Sequence, residues 1–296
     1  MINNNKNKAL PVVGLLSGAL VWGVIWYPYR LIEQAGTSGV LATFLTYSIA
    51  LIIGLSVSGP IWKELKLAGW AGLVLMLSSG WANFGYVMAT LEGEVMRVLL
   101  LFYLAPLWTV FFAHFMLGEK LNRYGYGVIV LSFSGALVML WRPELGAPMP
   151  QNRAEWIGLS AGVAFAMANV LVRQTSHLSI GFKSTSIWLG VVLMTGLALL
   201  FQGNITPQVQ QIEPNIWIIL GMIGLVICAT SFAVQFGLTH TPANQAIVIF
   251  LFELVIAAIA AYILVGEKMH FQEIVGAMLI VSASLLSGKL HNEPSP

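Results

Sequence analysis

The sequence predicts an all-α integral membrane protein, ten transmembrane helices arranged as two inverted five-helix repeats. Three observations lead there. Hydrophobic residues make up 58% of the 296 and charged residues only 9%, whereas soluble domains carry about 25% charged residues. So few charges cannot cover a chain of this size in water. Apolar segments long enough to cross ~30 Å of hydrocarbon recur from end to end. The second half also repeats landmarks of the first.

The predicted spans are residues 10–31, 39–57, 68–90, 95–117, 124–141, 155–173, 183–201, 215–238, 244–265 and 271–288. The polar start MINNNKNK before an apolar run has the outline of a signal peptide. However, no small-x-small cleavage site precedes Trp22 and the run continues to Leu31, so it reads as a retained helix. Pro28 in the first span and Pro106 in the fourth are breaks that neighbouring helices can satisfy. The division that follows is an N-terminal tail 1–9, a first repeat 10–141, a linker 142–154, a second repeat 155–288 and a C-terminal tail 289–296.

Orientation follows from where Lys and Arg fall. With a cytoplasmic N-terminus, Lys6, Lys8, Lys63, Lys66, Lys120, Arg123, Arg173, Lys183 and Lys289 lie inside, and Arg30, Arg97, Arg142, Arg153 and Lys268 lie outside. Both termini are therefore expected in the cytoplasm. The longest connections, Arg142 to Ala154 and Gln202 to Pro214, leave no room for a nucleotide-binding domain, and no GxxxxGK[ST] loop occurs. A formal charge of +2 with no basic aromatic stripe argues against nucleic acid. The only cysteine, Cys228, excludes an intrachain disulfide. No cofactor or metal is expected.

Gly118-Glu119-Lys120 returns as Gly266-Glu267-Lys268, an offset at which Phe102 meets Phe250 and Phe84 meets Phe232. Gly14 and Gly18 open the first half as a GxxxG helix, and Gly158 and Gly162 open the second. Five spans is an odd number, so the second copy lies inverted, the arrangement that places a substrate site near the midplane between halves. The stretches LLLFYLAPLWTVFFAHFMLGEKL and IVIFLFELVIAAIAAYILVGEKM resemble the recurring pattern of EamA-type members of the drug/metabolite transporter superfamily, over about Leu10 to Ser287. The resemblance implies secondary transport, commonly export of small metabolites, from a bacterial cytoplasmic membrane. Where that family often has Pro after the ninth-span acid, this chain has Leu254, which puts a break in the ninth span in doubt.

Polar groups inside the spans are the candidate substrate or coupling residues, because each needs a partner in hydrocarbon. Glu253 lies near mid-depth between IFLF and LVIAAIA. It reads as a cavity carboxylate for a cationic group or a proton, or else as a paired acid tying helices together. Arg97 is a candidate anion attractor at the outer mouth, or a snorkelling residue paired with Glu92 and Glu94. Asn83, Asn169 and Gln235 orient a substrate or join helices. Trp22 and Trp26, one turn apart, and Tyr103 and Trp108, flanking Pro106, line a cavity or pack. Trp62, Trp70, Trp141 and Trp156 read as interfacial, His114 as structural, and Glu119 and Glu267 as loop or cap residues beside their lysines. Ser160 completes a G-x-S-x-G pattern, but inside a membrane helix rather than after a strand, so no catalytic role follows. The five histidines form no zinc motif, and an intramembrane enzyme or a scaffold finds no support. The expected activity is alternating-access export of a small metabolite, an amino acid or related compound, driven by protons or uncoupled, by one chain or a homodimer.

Overall fold

The computed structural model describes residues 3–58, 61–93, 95–141, 143–145, 149–202, 209–266 and 270–287. Glu94, Arg142, Glu267, Lys268, Lys289 and His291 lie outside the described residues. The first half comprises α1 (Asn3–Gln34), α2 (Gly39–Val57), α3 (Trp62–Glu92), the pair α4 (Val95–Phe102) and α5 (Ala105–Leu117), and α6 (Arg123–Leu140). The second comprises α7 (Arg153–Gln174), α8 (Ile180–Gln202), α9 (Pro214–His240), the pair α10 (Ala243–Phe250) and α11 (Phe252–Val265), and α12 (Phe271–Ser287). Among the described residues nine spans are long and apolar enough to cross a membrane, α4–α5 and α10–α11 each counting as one. The tenth predicted span, α12, has 17 residues and reaches about 25 Å at 1.5 Å per residue.

Sequence explains the ends of these helices. Asn122 and Asn152 start α6 and α7, each side-chain oxygen accepting a backbone N–H three residues on, which satisfies a donor the helix itself cannot. Gly118 (φ 67°) and Gly266 (φ 70°) end α5 and α11 in the left-handed region, each N–H returning to a carbonyl five residues back, Ala113 and Ala261. A side chain is strained there, so the repeated glycine is a helix terminator. Gly69 (φ 51°) marks a kink in α3, just after the residue at which the third span was expected to begin. The segment before it carries Lys63, Glu64 and Lys66.

Glu119 corrects an expectation. Its carboxylate does not serve the adjacent lysine or the next helix. It accepts from the backbone N–H of Ala243 (3.0 Å) and from the backbone (3.3 Å) and side-chain (3.0 Å) nitrogens of Asn244. Those groups open α10, whose own N-cap, Pro242, supplies no side-chain acceptor. The positive end of a helix attracts an anion, and here the anion comes from the other half. Helices α10 and α11 then lead away from that end, so Gly266 lies at the far end of the bundle from Gly118.

The ninth span is the second correction. It breaks at Leu251 (φ −59°, ψ −18°) without any proline. The Leu254 N–H turns to the Leu251 carbonyl (3.1 Å), as the Leu107 N–H turns to the Leu104 carbonyl (3.0 Å) in the fourth. Both interruptions are tightened turns inside otherwise continuous rods.

Packing pairs the halves with each other. Helix α1 lies against α9 and α7 against α3; α2 meets α9 and α8 meets α3; α1 meets α11 and α7 meets α5; α2–α8 and α6–α12 complete the set. Exchanging the halves maps each contact onto another of the same set. The small residues make this closeness possible. A methyl on Gly14 would sit on the backbone of Ala233 in α9, and one on Gly162 would lie 2.4 Å from the Phe102 carbonyl oxygen at the end of α4.

Candidate functional site

Both interrupted spans deliver an aromatic ring to their break. Phe102 closes α4 and Phe250 closes α10, and Phe165 of α7 stands between them, with centroids 5.5 Å from Phe102 and 5.9 Å from Phe250. The series extends from Phe250 to Trp22 of α1 (6.0 Å) and from Phe102 to Tyr86 of α3 (5.2 Å) and Tyr103 (5.4 Å). These edge-to-face and tilted geometries are the ones ring quadrupoles favour. Six rings thus run from α1 through α10, α7 and α4 to α3, three helices from the first half and two from the second.

Glu253 stands at the end of this series, in the first turn of α11. Its carboxyl group is electrostatically coupled to the phenols of Tyr103 and Tyr86. Among the described residues no cationic side chain acts on this carboxyl. Its side chain is half-buried, as are Trp22, Tyr86, Phe102 and Phe165. Helix α1 presses on α11 at the same level, since a methyl on Gly23 would lie 2.9 Å from the Glu253 carbonyl oxygen. The arrangement gathers aromatic surface and one carboxyl group where the two interrupted spans break.

The other candidates separate. Tyr103 and Trp22 belong to the series. Trp26 does not: its indole donates to the Gly23 carbonyl of its own helix (3.0 Å). Trp108 packs in an apolar cluster with Ala105, Ile129 and Ile247, its indole N–H buried without a partner among the described residues. Asn83 accepts from the Tyr47 hydroxyl (2.8 Å) and donates to the Ser79 carbonyl (2.9 Å), so it ties α2 to α3. Asn169 and Gln235 are buried, and Asn169 Nδ2 and Gln235 Oε1 lack partners among the described residues. His114 is exposed on α5 beside Phe115. Ser160 accepts from the Trp81 indole (3.0 Å) and donates to the Ile157 carbonyl, tying α7 to α3.

Arg97 is tied across to the second half of the chain. Its guanidinium donates twice to Glu155 at the start of α7, Nε to Oε1 at 2.8 Å and a terminal nitrogen to Oε2 at 3.0 Å, and also to the Met149 carbonyl. Glu155, missed in the sequence, accepts further from the Gln151 N–H and the Asn152 amide. At the opposite end, Lys183 is wholly buried and donates to Thr239 Oγ1 (2.6 Å), while Arg173 donates to the Thr239 carbonyl. Glu64 reaches across from α3 to the Ser179 N–H.

The two ends differ in packing. Around Lys183 and Glu119 the helices are buried on every side: Ala168–Val172 of α7, Phe182–Ser186 of α8 and Ala246–Phe250 of α10 each run five residues without an exposed face. Toward the Arg97 end, Val24 to Tyr29 of α1 and Tyr86 to Met88 of α3 are only half-buried. These stretches are the contrast between the two ends on which a direction of opening can be proposed.

Comparison with known proteins comes to the same fold. The EamA-like transporter family matches residues 9–141 and again 152–288. The chain is similar to the uncharacterized transporter YoaV of Bacillus subtilis, 23% identical over 91% of this chain and 93% of that one. It is similar to the chloramphenicol-sensitive protein RarD of Pseudomonas aeruginosa, 22% identical over 88% and 87%. An S-adenosylmethionine uptake transporter of Rickettsia prowazekii is 29% identical over 61% of this chain and 58% of its own. One crystal structure superposes with a TM-score of 0.73, covering 96% of this chain and 99% of its own at 17% identity.

Proposed function

The chain belongs to the EamA-like transporter family, and from that premise we propose that it is a secondary transporter exporting a small metabolite by alternating access across a bacterial cytoplasmic membrane. The observation that carries this reading is Glu253 beside an aromatic series at the junction of both halves, where each half contributes an interrupted span. Secondary transporters place substrate and coupling-ion sites at such interruptions.

The two halves form an inverted repeat in this proposal. Three features support it: matched left-handed caps at opposite ends of the bundle, matched tightened turns, and contacts that map onto each other when the halves are exchanged. The excess of Lys and Arg puts both termini, and with them the tightly packed Lys183 end, in the cytoplasm. The looser Arg97 end then faces outward, and the molecule as described is in an outward-facing state. Glu253 carries the coupling proton. The site lies within one chain, which favours the monomer as the transporting unit.

The test is uptake into proteoliposomes with and without an imposed pH gradient. Glu253→Gln abolishes the response to the gradient while the protein still purifies as a single folded species. A response equal to that of the unaltered protein removes Glu253 as the proton site. Transport that ignores the gradient in the unaltered protein identifies an uncoupled facilitator instead.

A further inference from the structure

The chemistry around Glu253 narrows what the site accepts. Resting on the transport reading above, we infer that the substrate is a compact organic cation with a planar apolar body, held with its charge at Glu253 and its flat part among the rings of Trp22, Phe250, Phe165, Phe102, Tyr86 and Tyr103. Three observations lead to this.

Among the described residues, the charged group beside the rings is an acid. Among the described residues no cation acts on Glu253; Arg97 is engaged by Glu155 and the Met149 carbonyl; Arg173 and Lys183 are bound at the other end around Thr239. A zwitterionic amino acid would bring a carboxylate beside an acid that repels it, with no cation among the described residues there to pair it, and leaving a charge unpaired as the site closes is strongly unfavourable. An amine without that carboxylate meets no such penalty.

The walls are also of the right kind. Aromatic faces carry negative potential, and a desolvated cation over them is stabilised electrostatically. Two of the rings, Tyr86 and Tyr103, are the ones nearest the carboxyl group, so the acid and the rings address the same end of a ligand. Of the remaining four, three are phenylalanine rings and the fourth is the indole of Trp22. Finally, the site is one-sided. At the offset that superposes the halves, Glu253 corresponds to Ala105. A single carboxyl group suits a single positive charge and leaves the opposite wall apolar for the flat body.

The experiment compares three ligands that share a ring and differ in charge. Purified protein in nanodiscs is titrated calorimetrically at mildly alkaline pH with tryptamine, N-acetyltryptamine and indole-3-propionate. Tryptamine binds at least about tenfold more tightly than its neutral analogue, and the anion binds most weakly. In Glu253→Gln the preference for the cation collapses while the affinity for N-acetyltryptamine is kept, and Glu253→Asp retains the preference. Equal affinities, an order that favours the anion, no binding of any of the three at millimolar concentration, or an unchanged preference in Glu253→Gln each overturn the inference. The charge series in the unaltered protein decides the matter even if Glu253→Gln does not fold. Proteoliposomes that transport some solute of another charge leave the transport reading standing and remove only this inference.

Discussion

Removing one member of the Arg97–Glu155 pair should unfold the protein far more readily than removing both charges. The two side chains are 8% and 2% exposed and meet at 2.8 Å. At an effective dielectric of about 20, unit charges ~4 Å apart attract by about 4 kcal/mol. Drying two ions opposes that gain by an amount of similar size, so the pair as a whole adds little. Breaking it is different: a lone buried charge costs about 3–5 kcal/mol. Arg97→Met and Glu155→Gln should each lose about that much, whereas the double variant should lie within about 1 kcal/mol of the unaltered protein. The glutamine keeps an oxygen for the Gln151 N–H that Glu155 now accepts. Equilibrium unfolding in mixed micelles measures all three. Single variants that lose less than about 1 kcal/mol, or a double variant as unstable as the sum of the singles, would refute the reasoning. Transport by the double variant adds a second answer: retained activity marks the pair as a tie between α4 and α7, and lost activity with normal stability returns Arg97 to the substrate path.

Further outcomes can be read on the same material. Glu119→Ala removes the acceptor for three nitrogens at the start of α10 and should destabilise by about 1–2 kcal/mol, with faster hydrogen exchange at Ala243 and Asn244. Unchanged exchange there would dismiss the inter-half cap. Gly162→Ala places a methyl 2.4 Å from the Phe102 carbonyl oxygen and should cost about 1–3 kcal/mol. Gly127→Ala meets nothing within 4 Å and should be neutral or stabilise by up to about 1 kcal/mol. Equal melting temperatures for these two variants would contradict the helix approach described.

The spans and their stops were legible because they depend on local chemistry. A run of apolar residues is long enough or it is not, and Gly118 and Gly266 announce a left-handed cap twice in the same company. The break at Leu251 was not legible, because a tightened turn needs no proline and leaves no residue type behind. Arg97 read as an anion attractor or as the partner of its neighbouring acids; Glu155, which it also grips, is 58 residues away, and only the packing of α4 on α7 brings them together. Phe102 and Phe250 were visible as counterparts, but nothing in the chain order says that Phe165 separates them. Phe165 and Tyr86 look like any aromatic residue in an apolar run until the rotation of each helix is known. Lys183 was counted only as a cytoplasmic-side cation at the start of the seventh span. Its company of Ser184, Thr185 and Ser186 inside a helix was a usable signal of a polar interior.

The five-residue girdles on α7, α8 and α10 bear on how fast such a molecule can work. A thin barrier of one or two side chains opens by rotamer flips in nanoseconds or less, but residues enclosed on all sides have nowhere to rotate. The Lys183 end can part only when whole helices slide or tilt, a collective displacement of about microseconds to milliseconds. Turnover would then be paced by that displacement, and would slow in thicker or stiffer lipid even where affinity for the cargo stays the same.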